Sequence, residues 1–234
     1  MKNRTVVIVG ATGGIGAAVA QQLAPLGANL VLAARSGDRL DAIAATLPHP
    51  ALTIPTDITD RAQVEQLMSE AVAEFGRIDV LVNAAGAGVM KQFNKLEPAD
   101  FDAMLDLNLK GLFYTCQSAA NVMKGQKSGH ICNVIGILGK HPMITATAYC
   151  ASKYGAVGMS KCLADELKRY GVKFTLFYFG GVNTPFWDQA GLKVDRTKLL
   201  SPETAANAIV HALQVEPAAI PLEINIQPES HLFL

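Results

Sequence analysis

A chain of 234 residues, 50% hydrophobic and 17% charged, is long enough to bury a sizeable core and too apolar to be disordered. Its 20 basic and 20 acidic residues cancel to a formal net charge of zero, which argues against a nucleic-acid partner and favours self-association. No apolar stretch approaches the ~20 residues that span a bilayer, and the run after Lys2 and Arg4 is too short for a secretory h-region, so a cytoplasmic protein with no membrane partner is expected.

Thr5 to Val9 is a β-branched apolar run that stops at Gly10 and reads as a buried first strand. Gly10-Ala11-Thr12-Gly13-Gly14-Ile15-Gly16 then leads into a helix-like stretch, Ala17 to Leu26, closed by Gly27. A strand, a glycine turn and a helix start bring backbone N–H groups and the positive end of a helix dipole to one place, where an anion can sit. The spacing is G-x-x-x-G-x-G and differs from the G-x-G-x-x-G dinucleotide fingerprint; taken alone it also fits a plain tight turn.

Asn29 to Ala33 reads as a second buried strand that runs into Ala34-Arg35-Ser36-Gly37. A helix from about Asp38 to Leu47 follows, stopped by Pro48 and Pro50. Ala51 to Ile54 is a short third strand leading to Asp57 and Ile58. Asp60 and Gln63 resemble a capping pair for a helix with Val64, Leu67, Met68, Ala71, Val72 and Phe75 at helical spacing, ended by Gly76.

Asp79 to Val82 is the fourth strand and enters Asn83-Ala84-Ala85-Gly86. Pro98 to Lys124 reads as one long helix with Asn108 in its middle. Ile131 to Ile135 is the fifth strand, and a loop rich in Gly and Pro, Gly136 to Thr147, leads to a helix from about Ala148 to Arg169, closed by Gly171. Val172 to Phe179 is the sixth strand, Ser201-Pro202-Glu203 starts a last helix, and Leu222 to Ile226 is a final strand.

The strands are continuous apolar runs, as in a parallel sheet covered on both faces by helices. Ligands bind such sheets beyond the carboxyl ends of the strands. Gly10 to Gly16, Asn83 to Gly86, Gly136 to Thr147 and Gly180 to Thr184 all fall there and are expected to line one crevice. The expected architecture is α/β, one domain over 1–234 with a doubly wound sheet. Cys116, Cys132, Cys150 and Cys162 lie in apolar stretches without a C-x-x-C, and the histidines are scattered, so no metal site is expected.

Tyr149 and Lys153 lie four positions apart in a helical stretch, on one face and one turn apart. A free tyrosine has a pKa near ~10, and an ammonium within about 4–6 Å lowers it. The pair suits a general acid/base that moves a proton on or off a substrate oxygen. Y-x-x-x-K is common on solvated helix faces. Here, however, the helix is otherwise apolar (Ala151, Ala156, Val157, Met159, Cys162, Leu163, Leu167) and begins at the crevice.

With these residues in view the chain resembles the short-chain dehydrogenases/reductases. The resemblance rests on Gly10, Gly14 and Gly16, on Asp57, on Asn83 to Gly86, on Asn108, on Tyr149 with Lys153, and on Val182 and Thr184, in that order over almost the whole length. It implies a Rossmann-type domain that transfers hydride between a nicotinamide and a carbonyl/alcohol pair. It implies Tyr149 as proton donor or acceptor, Lys153 on the nicotinamide ribose, and Asn108 anchoring a water in the proton relay. Cofactor contacts would come from Gly10, Thr12, Gly13, Gly14, Ile15 and Gly16; from Asp57 and Ile58 at the adenine end; from Asn83, Ala84, Ala85 and Gly86 behind the cofactor; and from Gly180, Val182 and Thr184 near the carboxamide. The helices over Pro98 to Lys124 and Ala148 to Arg169 carry apolar residues on more than one face, and the resemblance implies that they pair in a homodimer or homotetramer.

The departures are informative. The family usually has a serine thirteen positions before the active tyrosine, and here that position is Gly136. A preorganised donor to a developing oxyanion is typically worth ~3–4 kcal/mol. Either another donor replaces it, or the enzyme is slow, or it does not turn over. Thr145, Thr147 and a bound water are the candidates, with Thr147 expected to serve as a helix cap instead. Gly136 would also leave room for a bulky substrate. Val9 and Phe179 stand where the family often has Thr and Pro; both read as tolerated packing changes, and Phe179 is also placed to reshape the pocket near the nicotinamide.

At the end of the second strand an NAD site carries a carboxylate, whereas this chain has Ala34 and Arg35. Ala34 removes repulsion against a 2′-phosphate and Arg35 can pair with it, so NADP(H) is expected over NAD(H). The expected function is NADP-dependent reduction of a small or medium carbonyl compound. The alternative is an NADP-binding sensor or scaffold with weak or no turnover, a reading that Gly136 favours and that Tyr149, Lys153 and Asn108 oppose. Phe186 to Leu200 reads as a short lid over a partly open pocket, with Phe186, Trp187 and Leu192 as its apolar members, and His141 as a loop histidine over that pocket.

Overall fold

Successive side chains of β1 (Thr5–Val9) point to opposite faces of a sheet, and both faces are buried. Val7 and Val9 pack with Val31, Leu81 and Ile131, while Val6 and Ile8 pack with Leu30, Leu32 and Val82. The computed structural model describes residues 1–230, so the last four residues of the expected 1–234 span lie outside the described residues. β2 (Asn29–Ala34), β3 (Leu52–Pro55), β4 (Val80–Asn83), β5 (Gly129–Val134), β6 (Val172–Phe179) and β7 (Glu223–Ile226) join β1 in one sheet. The order is β3-β2-β1-β4-β5-β6-β7, and every pairing is parallel. This is the doubly wound, Rossmann-type arrangement that the apolar runs imply.

The helices are α1 (Gly14–Leu23), α2 (Gly37–Ala44), α3 (Arg61–Phe75), α4 (Pro98–Leu105), α5 (Leu112–Gln126), α6 (Thr147–Leu167), α7 (Phe186–Gln189) and α8 (Pro202–Gln214). α3, α5 and α6 cover the face that holds Val7, through Leu67, Cys116, Ala119 and Ala156. α1, α2 and α8 cover the face that holds Ile8, through Val19, Leu40, Ala206 and Ile209. No helix among the described residues is long and apolar enough to cross a membrane.

Three local expectations need correction. The helix expected over Pro98 to Lys124 is broken by a π-helical turn, Asp106–Gly111, between α4 and α5. That wider turn carries the buried Asn108, whose side chain bonds outside its own helix. Thr147 does not cap α6: the N-cap is Ala146, no side chain caps it, and Thr147 is the exposed first helical residue. Asp60 does cap α3, accepting from the N–H groups of Ala62 and Gln63, but the Gln63 amide bonds the cap's carboxylate (3.0 Å) and the Asp57 N–H (2.8 Å) rather than the Asp60 N–H.

His130, in β5 at the end of the sheet opposite the strand carboxyl termini, pairs its Nε2 with Thr175 Oγ1 at 2.8 Å. Burial, with Lys173 and Arg4 near by, pushes its pKa down to about 4. Because the folded value lies below the unfolded ~6.5, the stability it contributes is complete above that pH and is lost as pH falls towards 4. Thermal melts between pH 7 and pH 4 are expected to show a loss of about 3 kcal/mol attributable to this group. His130→Gln, which keeps a polar partner for Thr175 without titrating, is expected to flatten that part of the fall.

Candidate active site

β1 has β2 on one side and β4 on the other, so the winding of the sheet reverses beside it, and the loops leaving the strand carboxyl ends border a cavity of about 1100 Å³. At its floor Gly10 has φ +81°, and a Cβ there would lie 2.5 Å from the Ala85 backbone nitrogen. Only glycine lets the turn after β1 press so closely on the loop after β4. Gly13, Gly14 and Ile15 line the cavity, and α1 has no side-chain cap, which leaves its first N–H groups available to an anion.

One end of the cavity is basic. Arg35, Ser36 and Arg39 line it together with Asp57 and Ile58. Ser36 caps α2, and Arg39 Nη2 donates to the Thr12 carbonyl at 2.9 Å, tying the start of α2 to the glycine turn. Arg39 escaped the sequence reading, although it stands only four residues after Arg35, in the first turn of α2.

Tyr149 and Lys153 lie at the other end, 9% and 5% exposed. Lys153 Nζ is 5.6 Å from the Tyr149 ring centroid and donates to the Val134 carbonyl at 3.4 Å. The expectation of a lowered tyrosine pKa is not met in the protein alone. Burial pushes the Tyr149 phenol above the ordinary tyrosine range and pulls Lys153 down to about 8. Desolvation disfavours both charged forms, and at this separation it outweighs the attraction between them.

Of the residues expected to contact a cofactor, Gly10, Thr12, Gly13, Gly14, Ile15, Arg35, Asp57, Ile58, Ala84, Ala85, Gly86, Gly180, Val182 and Thr184 line the cavity with Tyr149 and Lys153. Three expected site residues stand behind it. A Cβ on Gly16 would meet the Gly10 carbonyl oxygen at 2.3 Å, so Gly16 serves the packing of α1 on the turn. Asn83, the buried last residue of β4, donates to Asn133 Oδ1 at 2.9 Å. Asn108 accepts from the Ala87 N–H (3.1 Å) and donates to the Ala87 carbonyl (2.9 Å) and to Ser152 Oγ (3.1 Å). Ser152 Oγ in turn donates to the Tyr149 carbonyl at 2.7 Å, so Asn108 is tied through Ser152 to the Tyr149 backbone in α6. Ser152 was also missed, although a polar residue on the apolar face of that helix signals it.

Gly136 lines the cavity with φ +88°, and a Cβ built there would lie 3.6 Å from Tyr149 Oη. There is space for a side chain but the backbone is left-handed, so the missing serine is fixed in the chain's path as well as in its sequence. The lid is folded down. The Phe186 ring lies 5.8 Å from that of Tyr149, Trp187 Nε1 donates to the Val182 carbonyl at 2.7 Å, and Arg196 bonds the Thr184 carbonyl (2.6 Å) and Asp188 (2.8 Å). Thr145 lines the cavity, whereas Thr147 and His141 do not. Among the described residues no three His, Cys, Asp or Glu side chains gather where they could share a metal ion.

Comparison with known proteins is consistent with this geometry. Residues 4–195 match the family described as short chain dehydrogenase. A Staphylococcus epidermidis protein described as an uncharacterized oxidoreductase is 33% identical over 229 residues, which cover 97% of this chain and 98% of that one. The crystal structure of levodione reductase superposes with a TM-score of 0.92 at 26% identity, covering 98% of each chain. An alcohol dehydrogenase from the archaeon Thermococcus sibiricus, solved with 5-hydroxy-NADP, superposes with a TM-score of 0.91 at 25% identity over 99% of each chain.

Proposed function

This chain belongs to the short-chain dehydrogenase/reductase family of oxidoreductases, and from that premise we propose that it reduces a carbonyl compound with NADPH, using Tyr149 as the proton donor. The observation that carries the reading is the Tyr149 phenol itself. It is buried beside Lys153, makes no hydrogen bond from its hydroxyl to any described residue, and lines the same cavity as the uncapped start of α1. A phenol is protonated near neutral pH and so has a proton to give, which suits the reducing direction.

The cavity fits a phosphorylated dinucleotide. The N–H groups at Gly14 and Ile15, at the uncapped start of α1, would hold the diphosphate, and Arg35 and Arg39 would hold a 2′-phosphate. Asp57 would meet the adenine, Val182 and Thr184 the carboxamide, and Lys153 the nicotinamide ribose. A bound nicotinamide would supply hydride to the carbonyl carbon. Tyr149 would give its proton to the carbonyl oxygen, with Lys153 and a water anchored at Asn108 restoring it from solvent.

NADPH oxidation against a panel of ketones, aldehydes and quinones tests the reading, with turnover on at least one class expected. Tight NADPH binding without turnover on any of them would favour the sensor or scaffold, the reading that the missing side chain at Gly136 supports. Cofactor choice has its own test. Arg35→Ala removes a charge-assisted contact typically worth ~1.5–3 kcal/mol, so KM for NADPH is expected to rise by ~10–100-fold while KM for NADH changes little. A wild-type protein that binds NADH at least as well as NADPH would refute the NADP assignment. Pairing of α5 and α6 with a second copy of the chain is proposed as well; sedimentation as a monomer at micromolar concentration would refute it.

A further inference from the structure

We infer that Thr145 supplies the hydroxyl that Gly136 lacks, donating a hydrogen bond to the substrate oxygen next to Tyr149. The inference rests on the carbonyl-reduction reading above and assigns one more catalytic residue to the same site.

Thr145 immediately precedes Ala146, the N-cap of α6, and lines the cavity together with Tyr149 and Gly136. Its φ is +68°, a left-handed conformation that β-branched residues rarely adopt. Strain of this kind persists only where the surroundings enforce it, and it concentrates at working positions. Here the Lys91 N–H donates to the Thr145 carbonyl at 2.9 Å and the Ala146 N–H to the Met143 carbonyl at 3.2 Å, which pins the residue from both sides. The hydroxyl itself donates to the carbonyl of its neighbour Ile144 at 2.5 Å. That partner is local, so rotation about χ1 frees the proton for a substrate oxygen without disturbing any long-range contact.

The other serine and threonine hydroxyls that line the cavity are bonded within the fold or sit beside the glycine turn. Ser36 caps α2 at the basic end, and Thr56 donates to the Ile54 carbonyl. Thr12 sits where Arg39 docks, and Thr184 rests on Gly14 and accepts from the Phe186 N–H. Ser152 and Ser160 do not line the cavity; they are buried and donate within α6. Among the described residues that line the cavity this leaves Thr145 as the serine or threonine hydroxyl at the Tyr149 end, and its position and backbone strain have one explanation in common.

The positive φ supplies a test that separates chemistry from structure. Thr145→Val removes the hydroxyl and keeps the shape; Thr145→Gly removes the hydroxyl and relieves the backbone; Thr145→Ser keeps the hydroxyl. Steady-state NADPH oxidation with the best carbonyl of the panel is expected to show kcat reduced by ~10² in both Val and Gly variants and within about threefold of wild type in the Ser variant. NADPH affinity, followed by its fluorescence, is expected to be unchanged throughout, and the Gly variant to melt no lower than wild type. Wild-type kcat in the Val and Gly variants would overturn the assignment while leaving Tyr149 and the reaction in place. A wild-type protein without turnover on any carbonyl would overturn the reaction, and Thr145's part in it as well.

Discussion

Tyr149→Phe is expected to abolish carbonyl reduction while leaving the protein folded and still able to bind NADPH. General acid catalysis by one positioned group typically contributes ~10²–10⁴ in rate, and Tyr149 is the proposed acid, so kcat/KM should fall by about 10³ or more. The ring is retained, and with it the contact to Phe186 at 5.8 Å. The lost hydroxyl bonds no described residue, so no buried partner is orphaned and the melting temperature should not drop. NADPH titration by fluorescence should give an affinity within a few-fold of wild type. The wild-type pH profile carries the complementary expectation. Lys153 is pulled down to about 8 by burial, so kcat/KM for reduction should fall as pH rises through that value and the ammonium beside the phenol is lost. Turnover in the Phe variant near the wild-type rate would remove Tyr149 from the chemistry and take the proposed function with it.

The sheet was legible in the sequence because burial on both faces leaves one kind of record, and Thr5 to Val9 and Val172 to Phe179 carry it from end to end. The crevice was legible for the same reason: a parallel sheet has one carboxyl edge, so Gly10, Ala84 and Gly180 had to meet there. What stayed hidden depends on contacts distant in sequence. The π-helical turn at Asn108 answers to bonds with Ala87 and Ser152, and no local spacing encodes an i→i+5 turn. The direction of the Tyr149 shift depends on how completely the lid and α6 exclude water, whereas four-residue spacing to Lys153 speaks only of proximity. Gly136 was visible as a departure, but its left-handed backbone was not, and that backbone decides whether a serine can simply be put back.

Gly10→Ala is expected to cost both stability and dinucleotide binding, because the added methyl has nowhere to go. Its Cβ would lie 2.5 Å from the Ala85 nitrogen and 2.7 Å from Ala85 Cα, both backbone atoms, and the residue would be held at φ +81°. The left-handed conformation alone costs an L-residue ~1–2 kcal/mol. Relieving the clash must also push the Ala84 to Gly86 loop away from β1, into the cavity that this loop backs. A total of about 2 kcal/mol or more corresponds to a fall of roughly 4–8 °C in melting temperature for a chain of this size. A displaced wall should weaken NADPH binding by ~100-fold, the factor that about 3 kcal/mol commands. Gly125→Ala is the control, since a Cβ there meets nothing within 4 Å and the residue lies inside α5 at an ordinary helical φ. That change should raise stability by ~0.5–1 kcal/mol and leave binding alone. If Gly10→Ala bound NADPH as tightly as wild type, the turn after β1 would not be the diphosphate site, and the anion would have to be held by another part of the crevice.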